Sequence, residues 1–391
     1  MMVTGDGAYI KKLNRGLILQ KIFEHGFISR ADLAKITGLN KATISVQVAD
    51  LLDEHLVTES QQEHHTVGRR PIMLSINGRA GYVLGIDLDY KKIKFRISDL
   101  QGDFIEAKTI PLDTDVYEEI VGILIEEIQN YKDEYATSHY GLVQTIIGVH
   151  GTVHNDEWIQ FIPRLHWNNK DLKTDIQREV DMDISIENNA NLSAYAERVY
   201  QYPESGDLIG ISISSGIGAG IINDGKLVRG YDGYAGEIGH MIISPYGKEC
   251  RCGNRGCLEL HAAEPVVFLE LMEKLDRPHL SYLDIKHLIS IHDPATIEVM
   301  QKFIQFVSIG LNNLINLYNP ETLIINSELL NLYPNAIQEI EENLQSSVSV
   351  YRRIVLSDLG KDACVLGACA MAIQDFFEVD ELIFPKEQVL V

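Results

Sequence analysis

The stretch GHMIISPYGKECRCGNRGCLE, residues 239–259, places one histidine and three of the chain's five cysteines at successive spacings of ten, two and five residues. His240, Cys250, Cys252 and Cys257 offer one imidazole and three thiolates, a complete tetrahedral donor set for zinc. Pro245, Gly247, Gly253 and Gly256 let the loop fold back so that the thiolates converge. Four protein ligands leave no coordination position for water, so the expected metal is structural. The competing reading is a set of small buried apolar side chains. Three cysteines in eight residues, flanked by glycine and preceded by a placed histidine, favour the metal. Cys364 and Cys369 fall on an apolar, helix-like stretch and are expected in a core.

Thiolates of this kind persist where the compartment is reducing, so disulfides are not expected and the chain is assigned to the cytoplasm. The N-terminus has a basic patch but no apolar run before a small-residue cleavage site, so it does not read as a signal peptide. No window approaches 18 uninterrupted apolar residues, and no membrane span or membrane partner is expected.

The formal charge is −22, but it is unevenly spread. Of 34 basic and 56 acidic residues, the first eighty hold 10 and 8, leaving 24 and 48 for the remainder. A slightly positive head on a strongly acidic body suggests two kinds of work. The acidic body would repel nucleic acid from every surface except the head.

Within the head, Leu13, Leu17, Ile18, Ile22 and Phe23 recur at helical spacing, and Gly26 closes the segment. Ser29, with Asp32 three residues on, starts a short helix that stops at Gly38. Asn40 then caps a third helix over KATISVQVADLLDEHL, residues 41–56. A short helix, a glycine turn and another helix make a helix-turn-helix. Ile44, Val48, Leu51 and Leu52 line its inner face, which leaves Lys41, Thr43, Ser45 and Gln47 outside to meet phosphates and base edges. VGRRPIMLSIN reads as a wing hairpin, with Arg69 and Arg70 placed for phosphate or minor-groove contact. The alternative is a small interaction module with a solvated polar face. The turn, the basic and uncharged outer face and the Gly-Arg-Arg wing together favour DNA.

Beyond residue 80, YVLGIDLD (82–89), IKFRISDL (93–100) and DFIEAKTI (103–110) read as successive strands, followed by an amphipathic helix from Val116 to about Tyr131. TIIGVHG (145–151) is a buried strand, and DISIENNA (183–190) is a strand leading into a helix. DLIGISISSGIGAGII (207–222) gives strand, glycine turn and strand. Helix occupies 294–318, and ETLIIN (321–326) is a late strand. Strands and helices in two similar batches predict an α/β body of two lobes with a cleft between them. The expected division is a winged helix-turn-helix over residues 1–78 and a two-lobed body over 79–391, with the zinc loop at 240–257.

These segments together resemble the ROK family: the GH…CxCGxxGCLE loop, the GIGAG turn, GVHGTV (148–153), ENNANLSAYAE (187–197) and the N-terminal helix-turn-helix. The family contains sugar kinases and sugar-responsive repressors, and only the repressor branch carries the N-terminal module. SRADLAKITGLNKATIS, GRRPIML and AGYVLGIDL are most similar to the members that respond to xylose. The resemblance implies an actin-like, sugar-kinase-type body with a sugar in the interlobe cleft, operator DNA with palindromic half-sites as partner, and a homodimer. It implies sugar ligands at Glu237 and His240 (the ExGH motif), at Glu259 after the last cysteine, at Asn188 and Asn189 (the ND pair) and at Gly151. A carboxylate accepts from sugar hydroxyls, and an amide both donates and accepts. His240 can give one ring nitrogen to zinc while the other reaches a hydroxyl, so the metal would fix the ring's aim. Simpler readings stand beside these: surface carboxylates next to a metal loop for Glu237 and Glu259, and helix capping for Asn188 and Asn189.

The sequence departs from the family's kinases where the chemistry is done. Their base is an aspartate directly after the asparagine, and this chain has Asn189. An amide takes no proton at neutral pH, and losing a general base typically costs about 10²–10⁴-fold. Their DxGGT phosphate turn reads Asp87-Leu88-Asp89-Tyr90-Lys91 here, with side chains where glycine permitted close approach. Ser215 replaces a threonine, and Asn326-Ser327 replaces a glycine pair. No catalytic residue and no bound ATP are therefore expected. The expected function is a transcriptional repressor of xylose-utilisation genes, released by the sugar. The alternatives are an active sugar kinase with a DNA-binding head, or a repressor that responds to glucose or an N-acetyl amino sugar.

Overall fold

Capping chemistry divides the first helices. In the computed structural model, which describes residues 7–61 and 71–385, α1 spans Gly7–His25 and ends at Gly26, whose φ is +68°. After a two-residue strand β1 (Ile28–Ser29), the Ser29 hydroxyl accepts the Asp32 N–H and starts α2 (Arg30–Thr37), which left-handed Gly38 ends. Asn40 caps α3 (Lys41–Asp53) by accepting the Thr43 N–H at 2.8 Å. This helix stops three residues short of the expected Leu56, because His55 takes a left-handed conformation (φ +59°) that a helix does not continue. Strands β2 (Val57–Gln61) and β3 (Ile72–Ile76) pair antiparallel, Val57 opposite Ile76, and β1 joins β3 on its other edge. Arg69 and Arg70 lie outside the described residues.

Two sheets of matching topology build the body. In the first lobe the strands are β4 (Tyr82–Asp89), β5 (Lys92–Asp99), β6 (Phe104–Pro111), β7 (Leu142–Val149) and β11 (Ile184–Asn188), in spatial order β11-β7-β4-β5-β6. Helix α4 (Tyr117–Glu134) connects β6 to β7. Between β7 and β11 come β8 (Thr152–Val153), β9 (Ile159–Ile162), β10 (Trp167–Lys170) and helix α5 (Leu172–Gln177), and β8–β10 form a separate small sheet. Helix α6 (Asn189–Ala196) follows β11 and leads to the second lobe. There β12 (Leu208–Ile213), β13 (Ile217–Asn223), β14 (Lys226–Leu227), β15 (Thr322–Asn326) and β16 (Arg353–Leu356) stand in order β14-β13-β12-β15-β16. In each lobe one hairpin-linked antiparallel trio is extended by two parallel strands. Helices α7 (Glu259–Ala262), α8 (Glu264–Lys274), α9 (Tyr282–Ser290), α10 (Pro294–Tyr318), α11 (Glu328–Leu332) and α12 (Ala336–Asn343) belong to the second lobe, and α13 (Ala363–Phe377) closes the order.

The lobes interlock through α6 and α13. Although α6 leaves the first lobe's sheet, it lies on the second: added Cβ atoms at Gly210 and Gly220 would fall 2.7 Å and 2.5 Å from the Ala194 Cβ. Helix α13 leaves the second lobe's sheet and lies on the first, with Cys369 against Gly85 and Cys364 against Gly148. The two helices also touch each other, since a Cβ at Gly367 would sit 1.9 Å from the Leu192 carbonyl oxygen. Small residues are needed because backbone meets backbone at these crossings. Both cysteines are buried in this layer, as their apolar surroundings predict.

Apolar packing does not stop between residues 78 and 79. Ile18, Ile22 and Phe23 of α1 share one cluster with Phe377, Leu382 and Phe384. The Phe23 ring meets Phe377 edge-on at 5.1 Å and Phe384 at 5.9 Å. Leu13, which shares the helical spacing of Leu17 and Ile18, is exposed. Among the described residues no helix is long and apolar enough to cross a membrane.

Candidate functional site

On α3 the outward side chains are Lys41, Ala42, Ser45, Val46 and Ala49, and Thr43 is half-buried. Gln47 corrects the reading of this face. It is 4% exposed, its amide turned inward toward the Lys11 carbonyl of α1 at 3.5 Å. The spacing carried that signal: Gln47 lies three residues after Ile44 and four before Leu51, both buried, so it shares their side of the helix. Val46, 57% exposed, takes its place outside and supplies an apolar surface of the kind that meets a thymine methyl.

The cysteine loop rests on β13. Left-handed Gly236 (φ +92°) packs where a Cβ would stand 1.8 Å from the Ala219 carbonyl oxygen, which fixes the Glu237–His240 turn against that strand. Gly256 (φ +77°) does the same against Ser244 and returns Cys257 to the turn, where it bridges Ile242. Donor atoms of His240, Cys250, Cys252 and Cys257 all lie within 4.8 Å of one another. The Cys252 and Cys257 sulfurs are 3.7 Å apart, and His240 Nδ1 is 3.6 Å from Cys250 Sγ. Around a tetrahedral divalent zinc, Zn–S of about 2.3 Å and Zn–N of about 2.0–2.1 Å require roughly 3.8 Å between sulfurs and roughly 3.6 Å from sulfur to nitrogen. The four residues therefore fit a tetrahedral metal ion. Burial pushes the Cys250 and Cys257 thiols up, a shift that a bound dication reverses by holding the thiolates.

Two carboxylates flank the same histidine. Glu259 Oε1 is 3.4 Å from His240 Nδ1, and Glu237 Oε2 is 4.0 Å from Nε2. Glu237, His240 and Glu259 thus converge from the second lobe, and Glu259 also approaches Gly216 in the β12–β13 turn. In the first lobe, Gly151 follows β7, and Asn188 and Asn189 stand where β11 passes into α6; of the six expected sugar ligands only Asn189 lines the cavity of the cleft. Asn188 is a helix cap: its Oδ1 accepts from Ala190 and Asn191, while its Nδ2 donates to the Gly151 carbonyl at 2.8 Å. Asn189 faces a cleft cavity of about 700 Å³, lined also by Asp87, Asp89, His150 and Ser215.

His150 was not singled out from the sequence, yet its Nε2 lies 2.8 Å from Asp87 Oδ1. The Asn326 amide is bonded to the Gly360 carbonyl, and Ser327 caps α11 and donates to Glu264.

A helical head with a three-stranded sheet, joined to two interlocked α/β lobes and a His–Cys₃ loop, defines the class. Residues 83–375 match the ROK family, and the chain belongs to it. The xylose repressor of Bacillus subtilis (strain 168) is 36% identical over 383 residues, covering 97% of this chain and 99% of that one. A crystal structure of a ROK family transcriptional regulator, a homolog of the Escherichia coli MLC protein, superposes with a TM-score of 0.80 at 26% identity, over 94% of this chain and 97% of that one. A ROK family glucokinase from Streptomyces griseus, solved with glucose and AMPPNP, shares the fold of the body at a TM-score of 0.66 and 22% identity, over 75% of this chain and all of that one.

Proposed function

We propose that the chain is a transcriptional repressor of xylose-utilisation genes that binds palindromic operator DNA as a homodimer and is released by the sugar. The observation that carries this reading is a three-helix head with a three-stranded sheet packed onto a ROK-family body, which we read as a DNA-binding head on a sugar-kinase type of body with disarmed catalytic positions. α1–α3 with β1–β3 form a winged helix-turn-helix. Lys41, Thr43 and Ser45, joined by Val46 instead of Gln47, meet the major groove, and Arg69 and Arg70 serve the wing. Two such heads address half-sites about 34 Å apart.

Xylose binds in the cleft against Glu237, His240 and Glu259 on one side and Gly151, Asn188 and Asn189 on the other. Zinc, held by His240, Cys250, Cys252 and Cys257, supplies no open coordination position and serves to orient His240 Nε2 toward the sugar. Phosphoryl transfer is not supported. Asn189 stands in the base position, and Asp87, at the end of the first strand, is tied to His150 rather than free to hold a metal–nucleotide. The near full-length likeness to a xylose repressor supports both the DNA and the sugar assignments.

Fluorescence anisotropy with a labelled operator fragment tests the reading. Xylose is expected to weaken operator binding by about 5–150-fold, and operator to weaken xylose binding by the same factor. Glucose and N-acetylglucosamine serve as the competing sugars. Equal operator affinity with and without every sugar, or steady formation of sugar phosphate from ATP, would overturn it.

A further inference from the structure

Helix α6 runs from the cleft to the seat of the head. Its first residue, Asn189, faces the cavity, and its last turn continues into a π-helical turn, Glu197–Gln201, closed by an i→i+5 hydrogen bond from the Tyr202 N–H to the Glu197 carbonyl at 2.9 Å. Single π turns of this kind are frequent at functional sites. Three side chains of this turn tie it to the second lobe and to the chain's last described residues. Glu197, 2% exposed, accepts from Ser357 in the second lobe, and Arg198, 6% exposed, pairs with Glu381. Tyr200 stacks on Phe384 with centroids 4.9 Å apart.

Residues 378–385, which hold Glu381 and Phe384, touch the head on their other side. Glu381 accepts from Gln20 of α1 at 3.3 Å, Phe384 meets Phe23, and Glu378 pairs with Lys12 at 2.7 Å. Pro385 packs beside Gly26 at the end of α1. This segment is a strap lying between α1 and the π turn. The turn is also poorly satisfied. Glu197 Oε2, Arg198 Nε and Nη1 and the Tyr200 hydroxyl are buried with no hydrogen-bond partner. Native proteins leave few such atoms, and stored strain is one explanation for them.

We propose that the 378–385 strap couples the cleft to the head, with Arg198 and Glu381 as positioning residues that hold α1 in the operator-binding orientation. Sugar acting at the start of α6 shifts the π turn, parts Arg198 from Glu381 and frees the head. This inference rests on the sugar-released repressor reading, but the strap itself is tested without sugar or DNA.

The experiment uses the full chain and three variants: E381Q, R198E, and R198E combined with E381R. Amide hydrogen exchange of the free proteins reads the strap. In E381Q, exchange in residues 18–23 and 379–384 is expected to rise by about tenfold, while the sheets of both lobes are unchanged. Operator affinity without sugar is expected to fall by about 5–50-fold, and calorimetric xylose affinity to rise rather than fall, since the variant already lacks the pair that the sugar must part. R198E is expected to lose operator affinity similarly, and the charge-swapped pair to recover more than half of that loss on a logarithmic scale. Unchanged exchange in E381Q overturns the strap, whatever the wild type does with sugar. Failure of the swap to recover any affinity overturns the pairing. A wild type that binds operator but ignores xylose, while E381Q loosens the head, overturns the sugar linkage and leaves the strap standing.

Discussion

His150 Nε2 sits 2.8 Å from Asp87 Oδ1, and both side chains line the cleft cavity. Burial alone raises Asp87 and lowers His150, but each outweighs that effect on the other, so Asp87 ends below and His150 above its ordinary range. Asp89, Lys92, Lys94 and the Cys364 thiol complete the charged and titratable surroundings.

The pair gives a signed pH dependence. A lowered aspartate stabilises above its unfolded pKa of about 3.9, and a raised histidine below its unfolded value of about 6.5. The contribution is thus fullest between those values. It fades as pH falls through the Asp87 pKa or rises through that of His150. H150F is expected to cost about 3 kcal/mol at pH 6 and less at pH 9, measured by denaturant unfolding. A cost that does not change with pH would show that no ion pair forms.

Restoring the acid alone does not restore a kinase. N189D is expected to yield no sugar phosphate above background in a coupled ATP assay, because Asp87 stays committed to His150 and side chains still fill the 87–91 turn. Turnover of about 1 s⁻¹, at the low end for kinases, would contradict this.

Removing one thiolate is expected to release the metal. C252S should bind less than one-tenth of the wild-type zinc by metal analysis and lose about tenfold in xylose affinity, since His240 is then no longer held. Wild-type sugar affinity in metal-free C252S would separate the loop from the ligand site.

The two sides of α3 are expected to fail differently. S45A and V46A should relax base preference by about 1–3 kcal/mol at one operator position with little change in melting temperature. Q47A should lower the melting temperature by several degrees and leave the ranking of operator sequences unchanged. A reversed pattern would restore Gln47 to the DNA.

Much of this was written locally. Ser29, Gly38 and Asn40 mark helix ends through side-chain and backbone geometry within three residues, so the head's helices are readable in order. The His240–Cys257 loop is readable because metal donors must recur at spacings a turn can close. Gln47 was misplaced although its spacing was informative, because a polar side chain was assumed to face outward. Two features depend on contacts between residues far apart in the chain, which periodicity does not encode. The Asp87–His150 pair spans 63 positions and the Arg198–Glu381 pair spans 183. The β8–β10 sheet was hidden for a different reason: its strands are too short to show alternation.

The exchange of α6 and α13 between lobes has a consequence during synthesis. The sheet completed by residue 188 has α4 and α5 on one face but lacks the layer on the other until residues 363–377 emerge, and the head lacks its seat until the strap follows. Completion of the first lobe is therefore expected only in the last stretch of translation, although domains usually settle in the order they leave the ribosome. A prematurely terminated polypeptide would keep α1–α3 packed on one another but would leave α1 without Phe377, Leu382 and Phe384 to seat it on the body.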